Sequence, residues 1–337
     1  MSYLRRAGGV ILLCLLSVQA LAWGARGHQS IGAIADAMIA GSNAETRVRA
    51  LLGPWSLSTA AVWADCAKGV VRRSDGYVYA PDRHYPECAA FETPAAETEM
   101  ADYVSRNDLG CHPGPGEESC HRQYHYSDIA WQRGAYRSDL TGASDHDVVA
   151  ATTAAIGVLR GAAAPAPLDI ASAREALLLL SHLVGDLHQP LHVGAVYLDA
   201  DGGVVDPDRD GDDPATHTRG GNDIRVGSRS LHAMWDAVPE RFGPGRVSQT
   251  LLPLAWQVGL TDGDVTDWPR AWADESVAAA AQAFAGIRYG PRVDDGHAAY
   301  WPASLPDGYA HAHEQSEQLR LARAGARLAQ LLQALWP

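Results

Sequence analysis

The stretch SHLVGDLHQPLH, residues 181–192, places His182 and Asp186 four residues apart and adds His192 just beyond Pro190. On a helix, residues at that spacing project from one face, so the pair offers an imidazole nitrogen and a carboxylate oxygen to one cation. The stretch LHAMWD repeats the arrangement with His232 and Asp236. One such pair is common in ordinary helices, but two pairs plus His192 point to a metal centre, and this donor set suits zinc. Asp65 in VWADCAK and His125 in YHYSD add further donors. Read singly, these two are a capping aspartate and a core histidine; read with the others, they extend the metal set. Metal ions held in a cleft favour hydrolysis, because they polarise the electrophile and acidify water.

Other residues could contribute to the same chemistry. Lys68 is the only lysine among 27 basic residues and lies three positions after Asp65. In a chain that otherwise uses arginine, a compact point charge there suits a phosphate oxygen; the alternative is drift at a surface position. His188 falls at a different helical angle from His182 and is expected to pack behind the site, orienting Asp236 or a backbone group. DPDRDGDD, residues 206–213, resembles the start of a calcium loop through Asp206, Asp208 and Asp210, but its twelfth position is His217 where a glutamate is expected. An acidic solvated insertion is the plainer reading of that stretch, and a stabilising calcium ion is the sharper one.

Taken in order, W-G-x-x-G-H from Trp23, WAD-x-x-K, His125-Tyr126, H-x-x-x-D-x-H-Q-P-x-H, GGN ending at Asn222, and LH-x-x-WD resemble the zinc-dependent single-strand-specific nucleases of the nuclease P-one type. These nucleases are relatives of the bacterial zinc phospholipases C. The similarity runs from Trp23 to Asp236 and weakly into ARAGARLAQLL near the C-terminus. It implies a single-domain, mainly α fold with a trinuclear zinc cleft. It assigns the Trp23 main chain, His28 and Asp186 to one zinc; Asp65, His125, His182 and the bridging Asp186 to a second; and His192, His232 and Asp236 to a third. It further implies that Asp65 orients the attacking water, that Lys68 and Asn222 sit beside the scissile phosphate, and that Tyr126 stacks on a nucleobase. The implied reaction cleaves RNA and single-stranded DNA to 5′-phosphorylated products, with 3′-nucleotidase activity as an extension. A zinc phospholipase C on the same scaffold is the alternative. The aspartate at Asp236, the GGN motif with Lys68, and the short spacing from Trp23 to His28 weigh against it.

The elements that must position these residues are mostly helical. Apolar residues recur at helical spacing around 29–40, 94–106, 146–160, 169–189, 230–237, 274–286 and 315–334, whereas strand-like alternation is sparse. Ser172 to Glu175 has the capping-box form, and Pro190 should end the helix that follows. Residues 68–93 and 199–221 read as long irregular stretches. No repeat or composition shift divides the chain, so residues 23–337 are expected to form one unit.

The segment before Trp23 carries Arg5 and Arg6, an apolar run and a final ALA, the order of a cleavable export signal. Cleavage after Ala22 makes Trp23 the N-terminus and implies a secreted or periplasmic protein. It also removes two of the 27 basic residues and none of the 40 acidic ones, taking the formal charge from -13 to -15. Such a surface repels polyanions, so any grip on nucleic acid needs a local positive centre rather than many phosphate contacts. Of the cysteines left after cleavage, Cys111 and Cys120 flank a short Pro/Gly loop, which favours pairing them and joining Cys66 to Cys88. The competing reading, a thiolate zinc site, lacks a CxxC spacing.

Overall fold

The computed structural model describes residues 23–109, 111–113 and 118–337, so the segment expected to be an export signal lies outside the described residues. Its axis is the helix Ala173–His188, hereafter the central helix, in which every residue from Glu175 to His188 is buried. A helix so thoroughly enclosed must be apolar nearly all round, and LLLL at 177–180 followed by Leu183, Val184 and Leu187 supplies that character. Around it pack an N-terminal helix, Ala25–Ile39, the helices Asn43–Leu52, Val148–Leu159 and Trp268–Phe284, and a C-terminal helix, Tyr309–Leu335. Each expected helical segment is present, and Asn43–Leu52 is an additional one whose N-terminus is capped by Ser42.

Half of the expected capping box forms. Ser172 Oγ accepts the Glu175 N–H at 3.1 Å, but the Glu175 carboxylate turns to the Ala171 N–H and to Arg106, at 3.1 and 2.6 Å. At the other end the central helix stops at His188, and Gln189 takes the extended ψ of 115° that a following proline favours. Pro190 then opens a short helix, Pro190–Val193, in the first-turn position where its missing N–H costs nothing. This break turns the chain and brings His192 back over the central helix.

The strands are few and short. Ala299–Ser304 pairs in parallel with Ile224–Val226 and antiparallel with Arg288–Tyr289 and Val293–Asp294. Ile224–Val226 turns back into Arg229–Ser230, and the chain passes directly into the helix Leu231–Trp235, which carries His232. Residues 68–93, expected to be irregular, contain a hairpin, Val70–Arg73 with Gly76–Tyr79, and a 3₁₀ helix, Pro86–Phe91. Cys66 is joined to Cys88 and Cys111 to Cys120, so these sulfurs are not free thiolates for a zinc ion. No described helix is long and apolar enough to cross a membrane.

Candidate metal centre and cleft

Asp186, fully buried on the last turns of the central helix, is the hub of the site. Its Oδ2 lies 3.0 Å from His125 Nδ1 and 3.1 Å from His182 Nε2, and its Oδ1 lies 3.4 Å from His28 Nε2. His182, one turn earlier on the same face, stacks on the His28 ring with centroids 3.8 Å apart. Gly185 permits that approach, since a Cβ there would fall 2.7 Å from His28 Nδ1. The Gly185 carbonyl also accepts the indole N–H of the buried Trp23 at 2.9 Å, which ties the start of the described chain to the turn that carries Asp186.

Asp65 approaches from the short helix Trp63–Ala67. Its Oδ1 pairs with Lys68 Nζ at 2.8 Å and lies 3.7 Å from His182 Nε2, while its buried Oδ2 has no hydrogen-bond partner. On the far side of Asp186, His192, His232 and Asp236 form another group. Among the described residues, three groups outside the disulfides bring donor atoms within 4.8 Å of one another: His28, Asp65 and His182; His125, His182 and Asp186; and His192, His232 and Asp236. The side chains of eight of the nine expected ligands fall in these groups; the Trp23 main chain is in none of them, and His28 falls with Asp65 and His182 rather than with Asp186.

The backbone fixes how several imidazoles face. A carbonyl can only accept, so His182, His192 and His232 each use Nδ1–H to reach a carbonyl, those of Ala61, His125 and Gly220, at 2.7, 2.8 and 2.8 Å. Each Nε2 is left facing into the site. His192 Nε2 and His232 Nε2 consequently face each other at 3.1 Å. Burial lowers the pKa of both rings and takes His232 down to about 4, so at neutral pH no proton bridges them. Two opposed lone pairs in a buried site call for a shared cation, and this contact shows that the residues fit a metal ion.

The carboxylates tell the same story. Burial pushes the Asp236 carboxyl up to about 8 against the pull of His192, and its Oδ2 has no hydrogen-bond partner. Burial also opposes ionisation of Asp65 and Asp186, yet Lys68 and His182 hold the first below the ordinary range, and His182 and His192 hold the second well below it. Burial, reinforced by Lys68, takes His125 down to about 3, leaving it a neutral imidazole at neutral pH.

The group opens into a cleft of about 620 Å³ whose walls include Lys68, His125, Tyr126, His192, Asn222 and His232. Asn222 donates to the Arg219 carbonyl at 3.0 Å. Three contacts were not foreseen from the sequence. Gln189 holds Asp236 Oδ1 at 3.0 Å, one of the two roles expected for His188; a backbone partner was the other. His188 instead points away, donating to the Val184 carbonyl and accepting from Arg327, because its helical angle faces the C-terminal helix. Arg122 holds the Lys68 carbonyl at 2.9 Å and lines the cleft. Gln189 could have been found within the HQPLH run itself; nothing local marks Arg122.

The acidic stretch does not converge on a cation. Asp206 and Asp208 pair with Arg133, Asp208 also accepts the Thr141 N–H, and Asp210 accepts the Asp206 N–H. Asp208 Oδ2 has no hydrogen-bond partner, and these aspartates are absent from the convergent donor groups among the described residues.

No curated protein matches the chain. The S1/P1 nuclease family matches it over residues 23–336, which takes in every donor named above. The chain therefore belongs to the S1/P1 nuclease family, and its activity is that of a nuclease.

Proposed function

We propose that this chain is an exported endonuclease that uses three zinc ions to hydrolyse RNA and single-stranded DNA, leaving 5′-phosphorylated products. The observation that carries the metal requirement is the pair of Nε2 lone pairs of His192 and His232, opposed at 3.1 Å in a buried site. Trp23, His28 and Asp186 would hold one ion, Asp65, His125, His182 and Asp186 a second, and His192, His232 and Asp236 a third. Bound there, zinc supplies charge neutralisation at the phosphodiester and acidifies the attacking water.

The chain's own groups do the rest. The unpartnered Oδ2 of Asp65 is free to hold a water by hydrogen bonding, while Lys68 stands beside it to meet a phosphate oxygen. Asn222, which lines the same cleft, offers an amide to the same phosphate. Tyr126 offers a ring for stacking, which tolerates any base and so suits unpaired strands. An acidic surface leaves the cleft as the place where polyanion is gripped, which disfavours the extended phosphate contacts needed to hold a duplex.

Hydrolysis of denatured DNA by the chain beginning at Trp23 tests this reading, measured as purified, after chelation, and after zinc alone is restored. Loss on chelation and recovery with zinc is the expected result. Activity that survives chelation would refute the metal requirement, and hydrolysis of phosphatidylcholine without hydrolysis of DNA would transfer the site to the phospholipase reading.

A further inference from the structure

Lys68, Arg122, Arg219 and Arg225 are the lysine and arginine side chains that line the cleft. Three of them are engaged by the protein itself. Lys68 Nζ pairs with Asp65 at 2.8 Å, Arg219 pairs twice with Asp223 at 2.8 and 2.6 Å, and Arg225 lies over the Tyr300 ring at 5.8 Å. Arg122 differs. Among the described residues its guanidinium makes one hydrogen bond, to the Lys68 carbonyl at 2.9 Å, and it pairs with no carboxylate and stacks on no ring. A guanidinium carries five N–H donors, so most of this one's remain for a ligand. The half-buried side chain is nonetheless held in place from both sides. Cys120, two residues earlier, is bonded to Cys111, and the His125 N–H reaches the Arg122 carbonyl at 3.4 Å. The bond to Lys68 therefore ties the segment that carries His125 to the segment that carries Asp65.

Lys68 is held at both ends, its ammonium by Asp65 and its carbonyl by Arg122. With the scissile phosphate at the ammonium, the guanidinium stands at the other end of the same residue, on the wall of the same cleft. A strand carries its next charge one sugar away from the first. Resting on the function proposed above, we propose that Arg122 binds the phosphate adjacent to the scissile one. The planar fork of arginine suits two oxygens of a phosphodiester, and a guanidinium already fixed by the protein loses little freedom on gripping them. Reading two phosphates in series makes the enzyme favour a bond inside a strand over the lone bond of a dinucleotide.

The test uses zinc-loaded enzyme and trinucleotides in which one of the two linkages is a methylphosphonate, neutral and resistant to cleavage, in both orders. The reference is the trinucleotide with both linkages charged, its two cleavages told apart by their products. In the wild type, restoring the charge on one flank of the cleaved bond should raise kcat/KM by about 10-fold or more, as a hydrogen bond to a charged group does. Arg122→Gln should erase that ratio, and Arg122→Lys, which keeps a point charge without the fork, should retain part of it. The ratio is the readout that a structural role would not move. If Arg122→Gln slows every substrate by one factor, as loss of support for Lys68 alone would, or keeps the wild-type ratio, the proposal is overturned. A wild type indifferent to the charge on either flank overturns it as well. No hydrolysis of the fully charged trinucleotide by the wild type would overturn the phosphodiester reading itself, and that outcome is recognisable without any variant.

Discussion

Gly185→Ala isolates the link between helix packing and the metal centre. The new methyl would fall 2.7 Å from His28 Nδ1 and 2.9 Å from His28 Cε1, well inside ordinary contact. Restoring contact of about 3.5 Å requires the imidazole to withdraw by roughly 0.7 Å. The ring has little room to do so, because it is fully buried and stacked on His182. Two opposing effects act on stability: alanine gains about 1 kcal/mol over glycine in a helix, and overpacking costs about 1–3 kcal/mol. The urea midpoint should therefore change little, whereas a ligand displaced by most of an ångström should lower the rate by about 10- to 100-fold and reduce bound zinc. Gly157→Ala is the control, since its Cβ would meet only Ala162 Cβ at 3.9 Å. That variant should gain stability and keep its rate. Zinc content per chain, rate on denatured DNA and urea midpoint would be measured for both. Full zinc content and a rate within about twofold of wild type in Gly185→Ala would refute His28 as a sterically fixed ligand.

Three further perturbations test other parts of the site and core. Lys68→Met should lower turnover by about 10²-fold or more, as removal of a preorganised charge beside a reacting phosphate does, and Lys68→Arg should recover only part of it; unchanged turnover would return Lys68 to a structural role. One residue retained ahead of Trp23 should lower zinc content and activity together, because the added peptide bond converts the Trp23 amine into an amide nitrogen with no basic lone pair; an unaffected enzyme would show that this amine is not a ligand. Burial lifts Glu317, on the C-terminal helix, to about 8, so the folded chain keeps a proton that the unfolded chain releases above about 4.3. Stability should therefore fall as pH rises between those values, by about 3 kcal/mol from pH 5 to 7, and Glu317→Gln should flatten that slope. Parallel slopes for the two proteins in urea titrations would count against it.

What the sequence reveals depends on the range of the interaction. His182 with Asp186 and His232 with Asp236 are legible because helical periodicity alone puts each pair on one face. Ser172 is legible as a cap for the same reason, since its partner lies three residues away. The fate of the Glu175 carboxylate is not, because Arg106, which claims it, belongs to another helix. The hairpin Val70–Tyr79 hid in a stretch too short to show alternation, and the pairing of Ala299–Ser304 with Ile224–Val226 joins segments more than seventy residues apart. His188 shows the limit from the other side: its angle correctly excluded it as a ligand of the His182 face, but only the packed C-terminal helix shows that Arg327 is its partner.

The same division explains why the centre can be both buried and reactive. The Ala61, His125 and Gly220 carbonyls that orient His182, His192 and His232 come from three different parts of the chain, and each takes the Nδ1 proton that would otherwise leave the tautomer undecided. With those tautomers fixed, ring nitrogens and carboxylate oxygens on His28, Asp65, Asp186 and Asp236 are buried without hydrogen-bond partners. An arrangement of that kind is unfavourable without a cation and favourable with one, so the free energy released on metal binding is also folding free energy. The formal charge of the chain, -13 over its full length, acts in the same direction. Under the proposed function, it leaves the positive charge needed for a polyanionic substrate to be concentrated in the cleft, where Asp65 holds Lys68 at 2.8 Å.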